Sequence, residues 1–294
     1  MRIVVGTVPV EEFPLTVGEV TVDGAFLMID GKRVPVNRGT PALLAAAATA
    51  MDITGQGKIT GILVGDIGLG KGSRRLYEFL TQNLAGEDVE SLTFHYLQPD
   101  VDWHNRVMFA IEQMPQKPLL IADAGFMYAA KMSGQAPAYD LFTPDVGELA
   151  FLADETAPHP FYTRGFILHE ENDVPDLIRR AYHHDNAAHH LLVKGEVDHL
   201  ADRSGILHRV DHPRVEAMEA MGGTGDTLTG LATALIGACR QSVPTAAVAA
   251  GRINRQAGAL ADLSPASQVC ELIDQLPRAI EAVLGNTKRN PFTS

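Results

Sequence analysis

The chain has 294 residues, 46% of them hydrophobic and only 20% charged, which supplies a large core and excludes a disordered or coiled-coil protein. Its net charge of -12 is spread without a basic stripe, which argues against nucleic-acid and anionic-membrane partners and leaves a small molecule as the expected ligand. No Ser/Gly/Pro-rich linker divides the sequence, so one domain over 1–294 is expected, with 1–35 as a short β-rich N-terminal extension.

Short β-like runs at 3–5, 19–22 and 25–29 open the chain, broken by Gly and Asp. The first is brief and followed by acidic residues, unlike a signal peptide, and no later apolar segment reaches membrane-spanning length. The Ala-rich stretch 41–51 predicts a buried helix started by Pro41, which also offers a surface for a homo-oligomer. Strand 60–65 leads into the glycine loop 66–73 and a helical pattern through Leu84. A strand at 92–97, a helix at 105–113 and a fully buried strand at 118–122 repeat the order. Further strands are predicted at 141–142, 191–193 and 205–210, with a charged helix over 174–182. The pairs His183-His184 and His189-His190 lack Cys or Glu at ligand spacing and read as a solvated connection. Helices at 227–239, 244–260 and 267–284 close the chain, the last capped by Ser267. Alternation of this kind predicts the α/β class: a three-layer, doubly wound, mostly parallel sheet. Cys239 and Cys270 fall in apolar helical stretches without metal spacing, which predicts buried thiols in a reducing, cytoplasmic compartment.

The segment carrying chemistry is Met221-Gly222-Gly223-Thr224-Gly225-Asp226, directly ahead of an apolar helix. Its glycines free the backbone to curl, so that the N–H groups of Gly222, Gly223, Thr224 and Gly225 form an anion hole at a helix start. Asp226 is expected at the cap of that helix, where a carboxylate can take a proton from a hydroxyl being phosphorylated. The Walker Lys-Ser/Thr pair is missing, and no strand feeds these glycines in the dinucleotide-binding manner. A different nucleotide fold is required.

Gly222-Gly223-Thr224-Gly225-Asp226 followed by Thr-Leu-Thr-Gly resembles the signature of ribokinase-like enzymes, and most closely that of the ADP/ATP-dependent NAD(P)H-hydrate dehydratases. The segments 63–70, 119–124, 141–148 and 192–195 resemble that family's strand and glycine loop, its Asp-ended buried strand, its Thr-Pro-His-Pro-Gly-Glu motif and its Leu-Lys-Gly strand. Two positions depart: Asp145 stands where the family carries His, and Gly125-Phe126 replaces its second Asp. The resemblance implies ATP or ADP with Mg2+ as cofactors and Asp226 as catalytic base. It implies nucleotide binding by Lys194, Gly195, Glu196, Val197 and Asp198 with Gly225, and Mg2+ orientation by Glu148. The implied substrate, hydrated NAD(P)H, falls to Thr40, Gly70, Asp123, Asp145 and Asp226. The implied activity is dehydration of the hydrated cofactor by phosphorylation and elimination. The alternatives are a ribokinase-like kinase acting on a sugar or vitamin precursor, and a nucleotide-binding sensor without turnover.

Overall fold

The computed structural model describes residues 1–155, 173–238 and 243–286. The N-terminal part carries β1 (Arg2–Val8), β2 (Thr16–Asp23), β3 (Phe26–Ile29), β4 (Lys32–Pro35), α1 (Thr40–Thr54), β5 (Ile59–Gly65) and α2 (Lys71–Asn83). There follow β6 (Ser91–His95), α3 (Val101–Glu112), β7 (Leu119–Ala122), α4 (Gly125–Met132), β8 (Leu141–Phe142), α5 (Val146–Ala153) and α6 (Val174–His183). Then come β9 (His190–Val193), β10 (Asp198–Asp202), β11 (Gly205–Val210) and the helices α7 (Ala217–Ala220), α8 (Thr224–Ala238), α9 (Val243–Leu260), α10 (Val269–Asp274) and α11 (Leu276–Asn286). Two compact units result, one from Met1–Val17 and Thr60–Arg209, the other from Gly18–Ile59 and Val210–Ser294.

In the first unit the strands run β11-β10-β9-β8-β7-β6-β1-β5. From β1 through β9 the paired neighbours are parallel, with Val4 opposite Thr93, Leu92 opposite Leu120, Ala122 opposite Phe142 and Phe142 opposite Leu191. β10 turns back antiparallel on β9. Strands buried on both faces read as continuous apolar runs, and every residue of β1 is buried. The mostly parallel α/β sheet is therefore as expected. Parallel pairing also aligns the carboxyl ends His95, Ala122, Phe142 and Val193 along one edge, where open α/β sheets gather ligand groups.

Behind that edge lies an aromatic core in which Phe94 and Phe126 stack at 4.0 Å, each ring contributing about 2–3 kcal/mol by leaving water. His104, 0% exposed, is held there by the Tyr139 hydroxyl at 2.8 Å and Ser133 Oγ at 3.0 Å. Burial pushes its imidazole down from 6.5 to about 4, so the folded chain keeps it neutral while the unfolded chain protonates it. The resulting stability, about 3 kcal/mol, is present above the unfolded value and is lost as pH falls from 6.5 through about 4. Urea unfolding at stepped pH should show that loss in the wild type and a much flatter profile in His104→Gln.

The second unit pairs β2 with β3 and β3 with β4, all antiparallel, with Val20 opposite Ile29 and Leu27 opposite Val34. Against α8 lies α1, so closely that a side chain at Gly230 would begin 2.1 Å from the Leu43 carbonyl. The Ala-rich face of α1 is buried in this packing, so the surface that the sequence suggested for self-association is consumed inside the unit.

Several predicted boundaries move for local reasons. The single helix expected over 267–284 is two, because Pro277 cannot donate to the preceding turn and ends the first helix at Asp274. Its cap is Gln268 in a capping box with Glu271, rather than Ser267. α3 starts before residue 105 because the Asp100 carboxylate accepts the Trp103 N–H at 3.1 Å. β4, α4 and β10 lie in stretches without a clear period in the sequence. Cys270 is a half-buried free thiol, and Cys239 lies outside the described residues. No helix among the described residues is long and apolar enough to cross a membrane.

Candidate active site

In the second unit, Gly222 and Gly223 form the turn before α8. Gly223 adopts φ 99°, and a Cβ there would lie 3.0 Å from Val269 Cγ2 and 3.2 Å from the Asn37 carbonyl, so glycine is required on both counts. The Thr227 N–H donates to the Gly223 carbonyl at 2.9 Å, opening the intrahelical ladder. The N–H groups of Thr224, Gly225 and Asp226 precede it, and geometry gives them no acceptor within the helix. They stand at the positive end of the helix dipole, a donor set suited to phosphate oxygens.

Asp226 is the third residue of α8, within the first turn of the helix rather than at its cap. It is 9% exposed, and its Oδ2 accepts the Gly39 N–H at 2.6 Å. Gly39 caps α1 with φ 71° and ψ -152°, a conformation essentially restricted to glycine. Two helix starts thus converge on one carboxylate. Thr40, the first residue of α1, is buried directly beside Gly39.

In the first unit, Asp123 follows β7 and Lys194 follows β9, and the aligned strand ends bring them together. Lys194 Nζ donates to both Asp123 oxygens, at 3.0 and 2.8 Å, with side-chain exposures of 13% for the lysine and 2% for the aspartate. Asp123 Oδ1 also accepts the Ala124 N–H at 2.8 Å, and His95 Nε2 lies 3.8 Å from Oδ2. Lys194 is therefore a half-buried ion-pair partner, not a solvated strand end. Beyond it, the Gly195 N–H donates to Asp198 Oδ1 at 3.3 Å, Asp198 is buried at the start of β10, Glu196 is exposed and Val197 is half-buried.

Asp145 caps α5. Its carboxylate accepts the Glu148 N–H at 2.7 Å, and Glu148 Oε2 accepts the Asp145 N–H at 2.9 Å, a complete capping box. Burial and the nearby Asp123 carboxylate push the Glu148 carboxyl well above the ordinary carboxylate range, while the Lys194 ammonium opposes the shift. Carboxylate oxygen is the ligand type that a hard cation such as Mg2+ takes, and Glu148 offers it at the start of α5. The far end of α5 is fixed by Lys131 of α4, which donates to the Phe151 and Asp154 carbonyls and lies over the Phe151 ring at 4.0 Å.

The loop between β5 and α2 has a different character. Asp66 Oδ1 accepts the N–H groups of Gly68, Leu69 and Gly70, each at 3.0 Å, and Oδ2 accepts the Ser73 N–H at 2.8 Å and hydroxyl at 3.0 Å. Burial opposes its charge, but the bonds from Ser73, Gly70 and Gly68 prevail and hold the carboxyl below its usual 3.8. The amide nest of this glycine-rich loop is thus filled by the chain's own carboxylate, and the Gly70 N–H is committed to it.

The sequence profile of the NAD(P)H-hydrate dehydratase family matches residues 100–278. The chain belongs to that family. An uncharacterized protein of Methanocaldococcus jannaschii is 37% identical over 243 residues, 82% of this chain and all 100% of that protein. Among solved structures, the Bacillus subtilis ADP/ATP-dependent NAD(P)H-hydrate dehydratase, co-crystallized with ATP/Mg2+ and soaked with CoA, is 15% identical with a TM-score of 0.55, over 96% of this chain and 92% of that one. The Escherichia coli phosphofructokinase-2 in complex with fructose-6-phosphate is 13% identical with a TM-score of 0.54, over 97% and 100%. These structural likenesses establish the ribokinase-like fold.

The span matched to the NAD(P)H-hydrate dehydratase family contains Asp123, Asp145, Glu148, the segment from Lys194 to Asp198 and the glycine-rich start of α8. Thr40 and Gly70 precede it. Within the first unit, Asp123, Lys194, Asp145 and Glu148 form one electrostatic cluster. Within the second, Asp226 shares the first turn of α8 with Thr224 and Gly225, and Gly222 and Gly223 stand just ahead of it. Gly39, which holds Asp226, and Asp66, which fills the β5–α2 loop, carry weight that no motif announced.

Proposed function

We propose that the protein is an ADP- or ATP-dependent NAD(P)H-hydrate dehydratase, which phosphorylates the hydroxyl of hydrated NADH or NADPH and eliminates phosphate to restore the nicotinamide ring. The observation that carries this reading is the family match over residues 100–278, which runs through both the acid–lysine cluster and the glycine-rich start of α8. When bound, the nucleotide with Mg2+ supplies the phosphoryl group.

Asp226 takes the proton of the substrate hydroxyl, held for that purpose by the Gly39 N–H. The amides of Gly222, Gly223, Thr224 and Gly225 stabilise the negative charge that develops on phosphoryl oxygens, an effect preorganised by the turn. Glu148, the acidic residue that follows Thr143-Pro144, would hold Mg2+ through water, and the cation would neutralise phosphate charge. The segment of Lys194, Gly195, Glu196, Val197 and Asp198, with Gly225, lines the nucleotide. The family likeness assigns the substrate to Thr40, Gly70, Asp123 and Asp145, of which Gly70 has its N–H already held by Asp66.

Incubation with hydrated NADH, Mg2+ and either ATP or ADP should restore the near-ultraviolet absorbance of the reduced nicotinamide ring. Absence of nucleotide-dependent recovery with both nucleotides would overturn the assignment. Asp145, standing where the family carries His, favours a second reading, a kinase that stops at a stable phosphoester. Accumulation of a phosphorylated alcohol without elimination would select it.

A further inference from the structure

The start of α8 is braced from α9 by a residue that no motif singles out. Asn254 is 3% exposed and Thr227 is 0% exposed. Thr227 Oγ1 donates to Asn254 Oδ1 at 2.7 Å, which sets the orientation of the amide group and turns Asn254 Nδ2 toward the Thr224 carbonyl at 3.0 Å. Thr227 Oγ1 also lies 2.8 Å from that carbonyl. On the other side of the turn, Thr224 Oγ1 donates to the Met218 carbonyl at 2.9 Å. Both polar ends of a buried side chain are thereby spent on one helical turn.

The carbonyl of Thr224 and the N–H of Gly225 belong to one planar, trans peptide, so they point in opposite directions. Pinning the oxygen toward α9 fixes the N–H away from it. We infer that Asn254 is a positioning residue for the anion hole: by holding the Thr224 carbonyl it fixes the Gly225 N–H in the direction from which phosphoryl oxygens are bound. Without it, the Thr224–Gly225 peptide keeps only its rung of the helix ladder, and a tilt of that peptide at the glycine-flanked helix start turns the Gly225 N–H off the phosphoryl oxygens. Thr227 acts one step further back, by choosing which end of the Asn254 amide faces the carbonyl.

The inference rests on the phosphate-binding part of the proposed function, and two substitutions separate positioning from packing. Asn254→Asp keeps the shape and the acceptor for Thr227 but places an oxygen, not a donor, against the Thr224 carbonyl. Thr227→Val keeps the backbone N–H that starts the helix ladder and removes only the hydroxyl. Asn254→Asp is expected to lower kcat about 10²-fold, as loss of one oxyanion donor does. The KM for the nucleotide should stay within about threefold, and Thr227→Val should follow with a smaller loss in kcat. A role in packing alone predicts wild-type kcat for Asn254→Asp whenever the variant melts as the wild type does, and that result would overturn the inference. Should Asn254→Asp fail to fold, an unchanged kcat in Thr227→Val would do the same.

A readout free of turnover keeps this distinct from the function itself. In amide NMR spectra titrated with inorganic phosphate, the Gly225 resonance is expected to move in the wild type and to stay still in Asn254→Asp. If the wild type shows that response but no nucleotide-dependent dehydration, the proposed reaction fails and the positioning role stands. If Gly225 responds equally in both proteins, the positioning role fails.

Discussion

Asp226→Asn should lower kcat by about 10³-fold while leaving nucleotide affinity within a few-fold, because the substitution removes proton acceptance and little else. The asparagine oxygen can still accept the Gly39 N–H that Asp226 Oδ2 now receives at 2.6 Å, so both helix starts keep their arrangement. The amides proposed to hold phosphoryl oxygens belong to the backbone and are untouched. Asp226→Ala is a harsher change. It strands the Gly39 N–H in a site where the side chain is 9% exposed, and should cost a further 1–3 kcal/mol or about that in stability. Steady-state kinetics with calorimetric nucleotide binding separates the effects, and unchanged turnover in Asp226→Asn would remove this carboxylate from the mechanism.

The parts of this design that could be read from residues alone are those written within a few positions of one another. Parallel strands such as β7 announce themselves as short apolar runs bounded by turn residues, and Asp145 with Glu148 carries the three-residue spacing of a capping box. The glycines before α8 announce a tight turn at a helix start because the constraint they relieve is local. What holds that turn is not local. Gly39 reaches Asp226 across 187 positions, and Asn254 reaches Thr224 across 30, so neither partnership leaves a trace in spacing.

The loop 66–73 shows the opposite hazard. Its glycines have the composition of a phosphate cradle, yet the decisive feature is where the Asp66 side chain turns, and it turns inward to satisfy the loop itself. Composition cannot distinguish a nest that awaits an anion from one that already contains its own. The C-terminal helices failed for a plainer reason: a continuous apolar period outweighed Pro277, although the missing N–H at that residue was sufficient to end a helix.

The largest stability effect is expected at Lys194. Its ammonium donates to both oxygens of Asp123, whose side chain is 2% exposed and sits at the end of a buried parallel strand. Lys194→Met preserves the length and apolar stem of the side chain but leaves a buried carboxylate without its countercharge, which costs about 3–5 kcal/mol. The Ala124 N–H still reaches Asp123 Oδ1 and His95 Nε2 still lies 3.8 Å from Oδ2, but neither replaces an ammonium that contacts both oxygens. Adding Asp123→Asn removes the uncompensated charge, so the double variant should recover most of the loss, to within about 1–2 kcal/mol of the wild type. Urea midpoints for the wild type, both single variants and the double variant close a thermodynamic cycle. A Lys194→Met cost below about 1 kcal/mol, or a double variant no more stable than Lys194→Met, would mean that the pair does not hold the strand ends together. Glu148 adds an independent check. The Lys194 ammonium favours the charged carboxylate of Glu148, so Lys194→Met should drive the Glu148 carboxyl still higher.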